Sequence, residues 1–337
     1  MTSTRDAQVL VTGATGMVGS ALLRQLVEAG YGHVRALYRH ASPAPRGGGP
    51  GTLAEWQACD VLDVAGLEEA MQGVEVVFHC AGSIHSRGAD ARTMWQVNVE
   101  GTANVVNAAL AAGVRRIVHV GSVATLMREG RALIDEEAEW EPGTRAGVYA
   151  ESKHRAEMEV WRGMAEGLEA VVVLPAYVLA AGFWDRGAMQ LFGRVYRGLP
   201  FYPRGGAGFV DARDVARFMV QAAEAAPSGS RYILSAANLS WQELLTQMAE
   251  ALHVPPPSRP LPAWADPFVV AWSWLRSRLA GKEHTFSARR MRQLATHYRY
   301  DAARSLTFDG FRYRPFRETL RELAAAFLET HAAADKR

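Results

Sequence analysis

The sequence predicts an α/β protein with a doubly wound parallel sheet and a smaller, mainly helical C-terminal lobe. Apolar strand-like segments alternate with helix-like segments through the first half of the chain. Alternation of this kind is typical of parallel strands joined by crossover helices. Two of the helical patterns stop at a glycine, Gly30 and Gly113, as helices commonly do. The second half loses the alternation and is interrupted by proline and glycine.

The elements of the first half follow from the spacing of its apolar residues. Short apolar runs predict buried strands at residues 8–12, 33–38, 74–80, 116–120 and 170–174. Helical periodicity predicts three helices, at 17–29, 93–112 and 149–166. Residues 43–51, PAPRGGGPG, predict a loop because they are too rich in Pro and Gly for a helix or a strand.

The second half predicts shorter elements. Helices are expected at 214–225, 241–251, 264–279 and 317–328, with one strand at 232–235. A proline cluster at 255–262 separates two of these helices. We expect these segments to form a second lobe.

Composition and charge exclude several classes of protein. The 337 residues are 49% hydrophobic and 21% charged, which is typical of a folded chain and not of a disordered or fibrous one. A net charge of +2 argues against a nucleic-acid-binding protein. Two cysteines are too few for a disulfide framework or a cysteine zinc site, and the ten histidines show no metal-ligand spacing. No apolar run is long enough to span a membrane and no signal peptide is evident, so a cytoplasmic protein is expected.

A glycine-rich turn lies between the first predicted strand and the first predicted helix. Gly13, Gly16 and Gly19 form a G-x-x-G-x-x-G pattern. The first glycine permits a sharp turn, the second a close approach of backbone to a pyrophosphate, and the third close packing of helix on strand. The helix N-terminus offers N–H groups to the anion. The predicted dinucleotide-binding residues of this loop are Gly13, Thr15, Gly16, Met17, Val18 and Gly19. The alternative is a tight turn without a ligand.

The end of the second predicted strand bears on the choice between NAD and NADP. An NAD site usually has an acidic residue about 20 residues after the glycine loop, for the ribose hydroxyls. Here the sequence is Leu-Tyr-Arg-His at 37–40, with Arg46 following. Arg39 suits a 2′-phosphate, so NADP is predicted, with NAD possible if Arg39 is only a surface residue. Asp60 and Val61 are placed to hold the adenine, although Asp60 could also be a turn residue.

A tyrosine and a lysine four residues apart suggest proton transfer. Tyr149 and Lys153 share one face of a predicted helix. A nearby ammonium favours the phenolate, which makes a tyrosine usable as a general acid or base. Ser122 follows the predicted strand at 116–120, and its hydroxyl could polarise a carbonyl oxygen.

These motifs together resemble the extended short-chain dehydrogenase/reductases, within the NAD-dependent epimerase/dehydratase superfamily. The segments that carry the resemblance are TGATGMVGS (12–20), CDVLD (59–63), CAGS (80–83), VNVEGT (97–102), VGSVATL (120–126), YAESK (149–153), LPAYV (174–178) and FVDARDVA (209–216). They occur in the family's order and cover about two-thirds of the chain.

The resemblance implies a Rossmann domain at 1–178, with 209–235 returning to it, and a substrate-binding lobe at 179–208 and 236–337. It implies Ser122, Tyr149 and Lys153 as the catalytic group. Further cofactor contacts are implied for Cys80, Ala81, Gly82, Asn98, Pro175 and Val178, with Tyr149 and Lys153 also touching the cofactor. Family members often have Ser-Ser where this chain has Gly121-Ser122. If the polarising hydroxyl belongs to the position that is Gly121 here, Thr125 is the alternative to Ser122.

Within the superfamily, the chain is most similar to dihydroflavonol 4-reductase-like and 3β-hydroxysteroid dehydrogenase-like enzymes. The alternative branch is the sugar-nucleotide epimerases and dehydratases, which retain NAD. These enzymes typically bind a nucleotide diphosphate with polar side chains just before the FVDARDVA-like segment. This chain has Gly-Ala-Gly-Phe at 206–209 instead. A carbonyl reductase is therefore predicted. Aromatic pocket candidates favour an apolar, aromatic or polycyclic substrate, although each is more often a core residue: Trp95, Tyr177, Phe183, Trp184, Phe201 and Tyr202. A non-catalytic dinucleotide-binding protein is a further alternative.

Two surfaces suggest partners. Trp264, Phe268, Trp272, Leu275 and Leu279 share one helix face. We expect this face to pack on the core or to cover the pocket, with contact to a membrane surface as the less favoured alternative. The helices at 93–112 and 149–166 pair across a two-fold axis in relatives, which implies a homodimer.

Overall fold

The structure is a computed structural model that describes residues 5–39, 54–84, 91–126, 132–140, 147–280 and 288–334. The predicted loop at 43–51, with Arg46, lies outside these ranges. The strands are β1 (Val9–Thr12), β2 (Val34–Tyr38), β3 (Glu55–Ala58), β4 (Val76–His79), β5 (Arg116–Val120), β6 (Glu169–Pro175), β7 (Tyr177–Leu179), β8 (Phe201–Tyr202), β9 (Gly206–Asp211), β10 (Ser230–Leu234), β11 (Ala237–Ser240) and β12 (Arg259–Pro260).

The helices lie between and after these strands. They are α1 (Met17–Glu28), α2 (Val64–Ala70), α3 (Ala91–Trp95), α4 (Gly101–Ala111), α5 (Val148–Ala165), α6 (Gln190–Tyr196), α7 (Ala212–Ala225), α8 (Trp241–Ala251), α9 (Asp266–Ala280), α10 (Ala288–Ala295) and α11 (Phe316–Ala334). Short 3₁₀ turns occur at Val123–Thr125, Gly187–Met189, Ala263–Ala265 and Ala303–Thr307, and a π-helical turn occurs at Gln96–Glu100.

Within the described ranges the main sheet has seven parallel strands in the order β10-β6-β5-β4-β1-β2-β3. The strand order runs outward in both directions from the pair β1 and β4, which leaves a crevice at their carboxyl ends. Helices α1 and α7 cover one face of the sheet, where Leu22 and Phe218 are fully buried. Helices α2, α4 and α5 cover the other face, where Val105 and Val160 are fully buried. The predicted fold class is confirmed.

A smaller group of elements packs beside the main sheet. Strands β11, β9 and β7 form a separate sheet in that order. Helices α6, α8 and α11 pack on it around a third apolar cluster that includes Phe192, Leu245 and Leu323. Strand β10 pairs with β6 in the main sheet, although it follows β9 in the chain. The domain boundaries drawn from the sequence stay a prediction.

Two expectations about the helices are wrong. The segment predicted as one helix at 93–112 is interrupted by the π-helical turn, in which the Gly101 N–H donates to the Gln96 carbonyl oxygen five residues back. The aromatic face of α9 does not pack on the core, because Trp264, Phe268 and Trp272 are 72%, 68% and 67% exposed. The side chains of Leu275 and Leu279 lie outside the described part of the structure. Among the described residues, no helix has both the length and the apolar character that crossing a bilayer requires.

Arg116 joins the main sheet to the end of α7. It begins β5, and its side chain is buried. Its Nη1 donates to the carbonyl oxygens of Ala222, Ala223 and Ala226 at 3.2, 3.1 and 2.9 Å. Its Nε donates to the Glu169 carboxylate at 2.7 Å. The Ala222 carbonyl oxygen also accepts from the Ala226 N–H. The guanidinium therefore provides donors to carbonyl groups at the end of α7, and its charge complements the helix dipole.

Replacing Arg116 tests this contact. We expect Arg116→Met to lower the free energy of unfolding by about 2 kcal/mol, because buried carbonyls lose their donor. The measurement is urea denaturation. Arg115→Met is the matched control. Arg115 is 43% exposed and makes an ion pair with Glu169 at 3.3 Å, so its loss should cost less than about 0.5 kcal/mol. Equal losses in the two variants would contradict the role given to Arg116.

Candidate active site

The segments that carry the sequence motifs meet at one edge of the main sheet. In the strand order β6-β5-β4-β1, the carboxyl ends of the strands lie side by side. The glycine loop follows β1, residues 80–82 follow β4, Ser122 follows β5, and Pro175 ends β6. Residues far apart in the chain are therefore close in space at the edge where ligands bind in open α/β sheets.

The glycine loop is held tightly against the end of β4. Gly13 has a φ of +63°, and a Cβ there would lie 2.6 Å from the Ala81 nitrogen and 2.8 Å from the Cys80 carbonyl carbon. The Gly16 N–H donates to the Gly13 carbonyl oxygen at 2.9 Å, which closes the turn. A Cβ on Gly19 would overlap the same oxygen. Only glycine fits Gly13 and Gly19 without moving the backbone.

The start of α1 could hold a pyrophosphate. Gly16 precedes the helix and provides no side-chain cap, and the first turn contains no acidic residue. Backbone N–H groups and the positive end of the helix dipole are therefore directed at the crevice. Thr15, Met17 and Val18 are half-buried at the same turn. This geometry fits the dinucleotide expected from the sequence.

The ends of β2 and β3 place Arg39 opposite Asp60. Their side chains are 55% and 32% exposed, and the Arg39 Nε lies 3.8 Å from the Asp60 Oδ2. The Asp60 Oδ1 accepts from the Leu62 N–H at 3.0 Å, so Asp60 is also a turn residue. Val61 is buried under α4, and its carbonyl oxygen accepts from the Asn104 Nδ2 at 3.1 Å. His40 lies outside the described residues.

Ser122 begins a 3₁₀ turn directly after β5. Its Oγ accepts from the Ala124 N–H at 3.1 Å. The alternative, Thr125, is 1% exposed, and its hydroxyl donates to the Ser122 carbonyl oxygen at 2.9 Å. The Thr125 hydroxyl is thus more deeply buried than Ser122, which is 8% exposed, and it already donates to the backbone, so Ser122 is the better candidate.

Lys153 is buried under the same sheet edge. It is 5% exposed, and its Nζ donates to the Val120 carbonyl oxygen at 2.6 Å. A Cβ on Gly82 would lie 3.7 Å from this Nζ, so the loop after β4 passes close to the ammonium. Burial lowers the pKa of Lys153 to about 8, and the neighbouring Glu157 and Cys80 partly oppose that shift. Tyr149 lies one turn earlier on α5 and is half-buried.

Glu157 is the acidic neighbour of Lys153 on α5. It is buried, one turn after Lys153, and its Oε1 lies 3.0 Å from the Arg231 Nε. Burial raises the pKa of Glu157, and Arg231 is the largest influence in the opposite direction. An acid–base pair of this kind stabilises a cation in a part of the protein that excludes water.

Asn98 joins three segments of the site. It lies in the π-helical turn and is 1% exposed. Its Oδ1 accepts from the Ser83 N–H at 2.7 Å, and its Nδ2 donates to the Ser83 carbonyl oxygen and to the Ser152 Oγ at 3.0 and 2.9 Å. The Ser152 hydroxyl donates to the Tyr149 carbonyl oxygen at 2.9 Å. The widened turn thus fixes the loop after β4 against the first turn of α5.

A buried hydrogen-bonded chain runs beneath these groups. The Ala81 N–H donates to the Thr12 Oγ1 at 3.2 Å, and the Thr102 hydroxyl donates to the Asn98 carbonyl oxygen at 2.6 Å. The His79 Nδ1 and Nε2 lie 2.7 and 2.9 Å from the hydroxyls of Thr12 and Thr102. Because the Thr102 proton is already donated, we assign the ring proton to Nε2, and Nδ1 accepts from Thr12. Burial lowers the pKa of His79 to about 3, so the ring is neutral.

The other predicted cofactor contacts lie at the carboxyl ends of β4 and β6 and in the short strand β7. Pro175 is buried, and Cys80 and Val178 are half-buried. Burial raises the pKa of the Cys80 thiol to about 12, so it is not a thiolate. Several aromatic candidates contribute instead to the packing of the smaller lobe. Tyr177 packs on Phe209 and Trp241, and Trp184 packs on Phe192 and Phe327. Phe183 is 1% exposed and belongs to the apolar cluster between the main sheet and helices α1 and α7.

No role was assigned from the sequence to three residues that hold the site together. Ser83 and Ser152 lie inside the motifs CAGS and YAESK, but nothing in the sequence indicates that they bond to Asn98. Glu157 lies outside the motifs, and a glutamate within a helix has no distinguishing pattern. The one sequence feature that could have indicated the interruption is Gly101, a glycine inside the predicted helix. In the structure, a Cβ at this position would lie 2.6 Å from the Val61 Cγ2. In the ranges that the structure describes, no cluster of three His, Cys, Asp or Glu side chains could hold a metal ion.

Comparison with known proteins agrees with this geometry. Residues 9–235 match the NAD dependent epimerase/dehydratase family. A protein named "Putative dihydroflavonol 4-reductase" from Synechocystis sp. is 32% identical over 275 residues, which span 78% of this chain and 77% of that protein. "Sterol demethylase protein B" from Methylococcus capsulatus is 31% identical over 262 residues, which span 75% of this chain and 77% of that protein.

A solved structure extends the similarity to nearly the whole chain. The crystal structure of gox2253 has a TM-score of 0.82 at 30% sequence identity, and the match covers 96% of this chain and 99% of that one. The chain therefore belongs to the NAD dependent epimerase/dehydratase family of extended short-chain dehydrogenase/reductases, and it is an NAD(P)-dependent dehydrogenase or reductase.

Proposed function

We propose that this enzyme reduces the carbonyl group of an apolar, aromatic or polycyclic small molecule to an alcohol, with NADPH as reductant. The observation that carries the proposal is the position of Lys153. Its buried Nζ lies 2.6 Å from the carbonyl oxygen of Val120, and Val120 is two residues before Ser122. Lys153 itself lies one helical turn after Tyr149 on α5. The same edge of the sheet carries the glycine loop, so the proton-transfer groups lie next to a site that fits the cofactor.

A bound nicotinamide cofactor supplies the hydride that adds to the carbonyl carbon. In the proposed reaction the Tyr149 hydroxyl donates its proton to the carbonyl oxygen. The Ser122 hydroxyl donates a hydrogen bond to the same oxygen, where negative charge develops. The Lys153 ammonium stabilises the phenolate left on Tyr149 and binds the ribose next to the nicotinamide.

The surrounding contacts support these roles. The bond from the Asn98 Nδ2 to Ser152, and from Ser152 to the Tyr149 carbonyl oxygen, holds the first turn of α5 in one position. Preorganised groups of this kind reduce the cost of orientation in the transition state. The loop after β4 passes close to Lys153 at Gly82, which brings a predicted cofactor-binding segment next to the ammonium.

The preference for NADPH rests on Arg39. It directly follows β2 and is half-exposed at the carboxyl edge. Between Val34 and Arg39 the chain contains no acidic residue for the ribose hydroxyls. An arginine there can bind a 2′-phosphate with charge-assisted hydrogen bonds.

The substrate class rests on what surrounds the crevice and on relatives. Residues 206–209 are all buried in β9, which leaves no cation there for a nucleotide diphosphate. This favours a reductase over a sugar-nucleotide epimerase. The names of two relatives refer to a dihydroflavonol and a sterol, both polycyclic.

We also propose a cytoplasmic homodimer that pairs through α4 and α5, since Met158 and Met164 expose apolar surface on α5.

Removing the proton donor is the direct test. We expect Tyr149→Phe to lower turnover of an aromatic ketone by at least about a hundredfold, because general acid catalysis typically contributes that much. Affinity for NADPH, followed by fluorescence titration, should stay within about twofold, because no bond to the cofactor phosphates is lost. Unchanged turnover would contradict the role of Tyr149. Tightly retained NAD with no net oxidation of added NADPH would favour an epimerase.

The pH dependence of the reaction tests Lys153. Its pKa is lowered to about 8, so the ammonium is present near neutral pH and is lost as the pH rises through that value. We therefore expect kcat/KM for the cofactor to fall above about pH 8. Lys153→Arg keeps its charge over this range, so its residual activity should not show that fall. The same alkaline fall in both enzymes would assign it to another group.

Replacing Arg39 tests the choice of cofactor. We expect Arg39→Ala to weaken NADPH binding by about tenfold or more and to leave NADH binding nearly unchanged, since only NADPH carries the 2′-phosphate. Arg115→Ala is the matched control, because Arg115 is similarly exposed and precedes β5 at the opposite edge of the sheet. Equal effects of Arg39→Ala on the two cofactors would contradict the preference.

A further inference from the structure

The solvent-facing side of the first half of α9 is apolar. Over residues 263–272, the exposed positions are Ala263, Trp264, Pro267, Phe268, Ala271 and Trp272. The three aromatic side chains follow one another at intervals of four residues, so they form a continuous stripe on the helix. We call these six residues the α9 face. The single charged residue of this stretch, Asp266, is turned away from it and pairs with Arg204 at 3.2 Å.

This orientation is the reverse of that of an ordinary surface helix. A surface helix normally buries its apolar stripe and exposes its polar side. Here the aromatic side chains are about two-thirds or more exposed. Scattered apolar residues on a surface are normal, but a contiguous patch of several large ones marks a binding surface or a membrane contact.

Contacts between neighbouring elements connect the α9 face to the helix that carries Tyr149. Arg204 ties the start of α9 to the segment before β9. Helix α10 contacts α9, and the Arg289 Nη1 of α10 would lie 2.5 Å from a Cβ on Gly147. Gly147 directly precedes α5, and Tyr149 lies in the first turn of that helix. The aromatic stripe and the catalytic helix are therefore linked through α10.

Positive charge accumulates on α10, the helix that contacts α9, and directly after it. Residues 288–299 contain four Arg and no acidic residue, whereas the whole chain has a net charge of only +2. Trp and Phe beside a cluster of basic residues is the composition of helices that lie in the interface of an anionic bilayer. A second copy of this chain is a poorer partner, because a two-fold contact would bring two basic segments together.

We propose that the α9 face docks on the surface of an anionic phospholipid bilayer. Trp264, Phe268 and Trp272 insert at the level of the headgroups and the first acyl carbons, and basic residues of 288–299 interact with lipid phosphates. The mouth of the crevice then lies close to the membrane, where apolar carbonyl compounds concentrate. The docking itself does not depend on the proposed reaction.

Vesicle flotation with the full-length protein tests the docking. We expect binding to phosphatidylcholine vesicles that contain roughly one-third phosphatidylglycerol to be at least about tenfold stronger than binding to phosphatidylcholine alone, and to weaken in high salt. The triple variant Trp264→Ser/Phe268→Ser/Trp272→Ser should lose at least about tenfold of this binding.

The matched control removes the same number of exposed apolar side chains from other surfaces. Leu62, Leu133 and Leu306 are 38%, 45% and 40% exposed and lie outside the α9 face. The variant Leu62→Ser/Leu133→Ser/Leu306→Ser should bind the vesicles as the wild type does. Circular dichroism of both variants checks that they fold.

A second measurement uses the wild-type protein and does not depend on the folding of a triple variant. Brominated acyl chains should quench part of its tryptophan fluorescence, and Trp264→Phe/Trp272→Phe should reduce the quenched fraction while keeping the binding. Three outcomes would overturn the proposal: no binding of the wild type to anionic vesicles, equal losses in the two triple variants, or a dimer that becomes monomeric when the α9 face is replaced. Turnover of a water-soluble ketone, measured separately, reports on the proposed reaction.

Discussion

A buried ammonium group constrains the architecture of the site. Lys153 is almost fully enclosed, and a desolvated cation is costly unless polar partners surround it. The partner for which the structure shows a direct hydrogen bond is the carbonyl oxygen of Val120, the last residue of β5. Helix α5 must therefore lie on the sheet in a position that brings the Lys153 side chain to the carboxyl end of β5. Tyr149 lies one turn before Lys153 on α5, and Ser122 lies two residues after Val120.

Neutral polar groups then complete the environment of this charge. His79 lies next to β5 in the sheet, yet its ring is bonded to Thr12 and Thr102 and stays neutral. A charged histidine there would repel the ammonium. Asn98 extends the network from β4 to α5, and it reaches both because the π-helical turn inserts an extra residue into the helical path. The irregular turn is thus part of how the site is held rather than a defect in the helix.

The smaller lobe is organised by a different principle. Its interior is an aromatic cluster in which Tyr177, Phe209 and Trp241 pack on one another, which accounts for aromatic residues that also suit a substrate pocket. Helix α9 stands outside this cluster with its aromatic side chains in solvent. The lobe therefore satisfies its own core without α9, which leaves that helix for an external partner.

Local rules were enough to predict much of this protein from its sequence. Alternating strand and helix patterns predict the parallel sheet, because period and length are properties of each segment alone. The glycine pattern at 13–19 predicts the tight turn, since the close approaches at Gly13 and Gly19 exclude any side chain. The motifs that contain Ser122, Tyr149 and Lys153 predict the candidate catalytic group by resemblance. Tertiary structure alone decided the interruption of the helix at 96–100, the bonds of Asn98 and His79, and the outward orientation of α9. Each of these features depends on contacts with residues that are distant in the chain. The periodicity of a single segment contains no information about which distant residues will contact that segment in the folded protein.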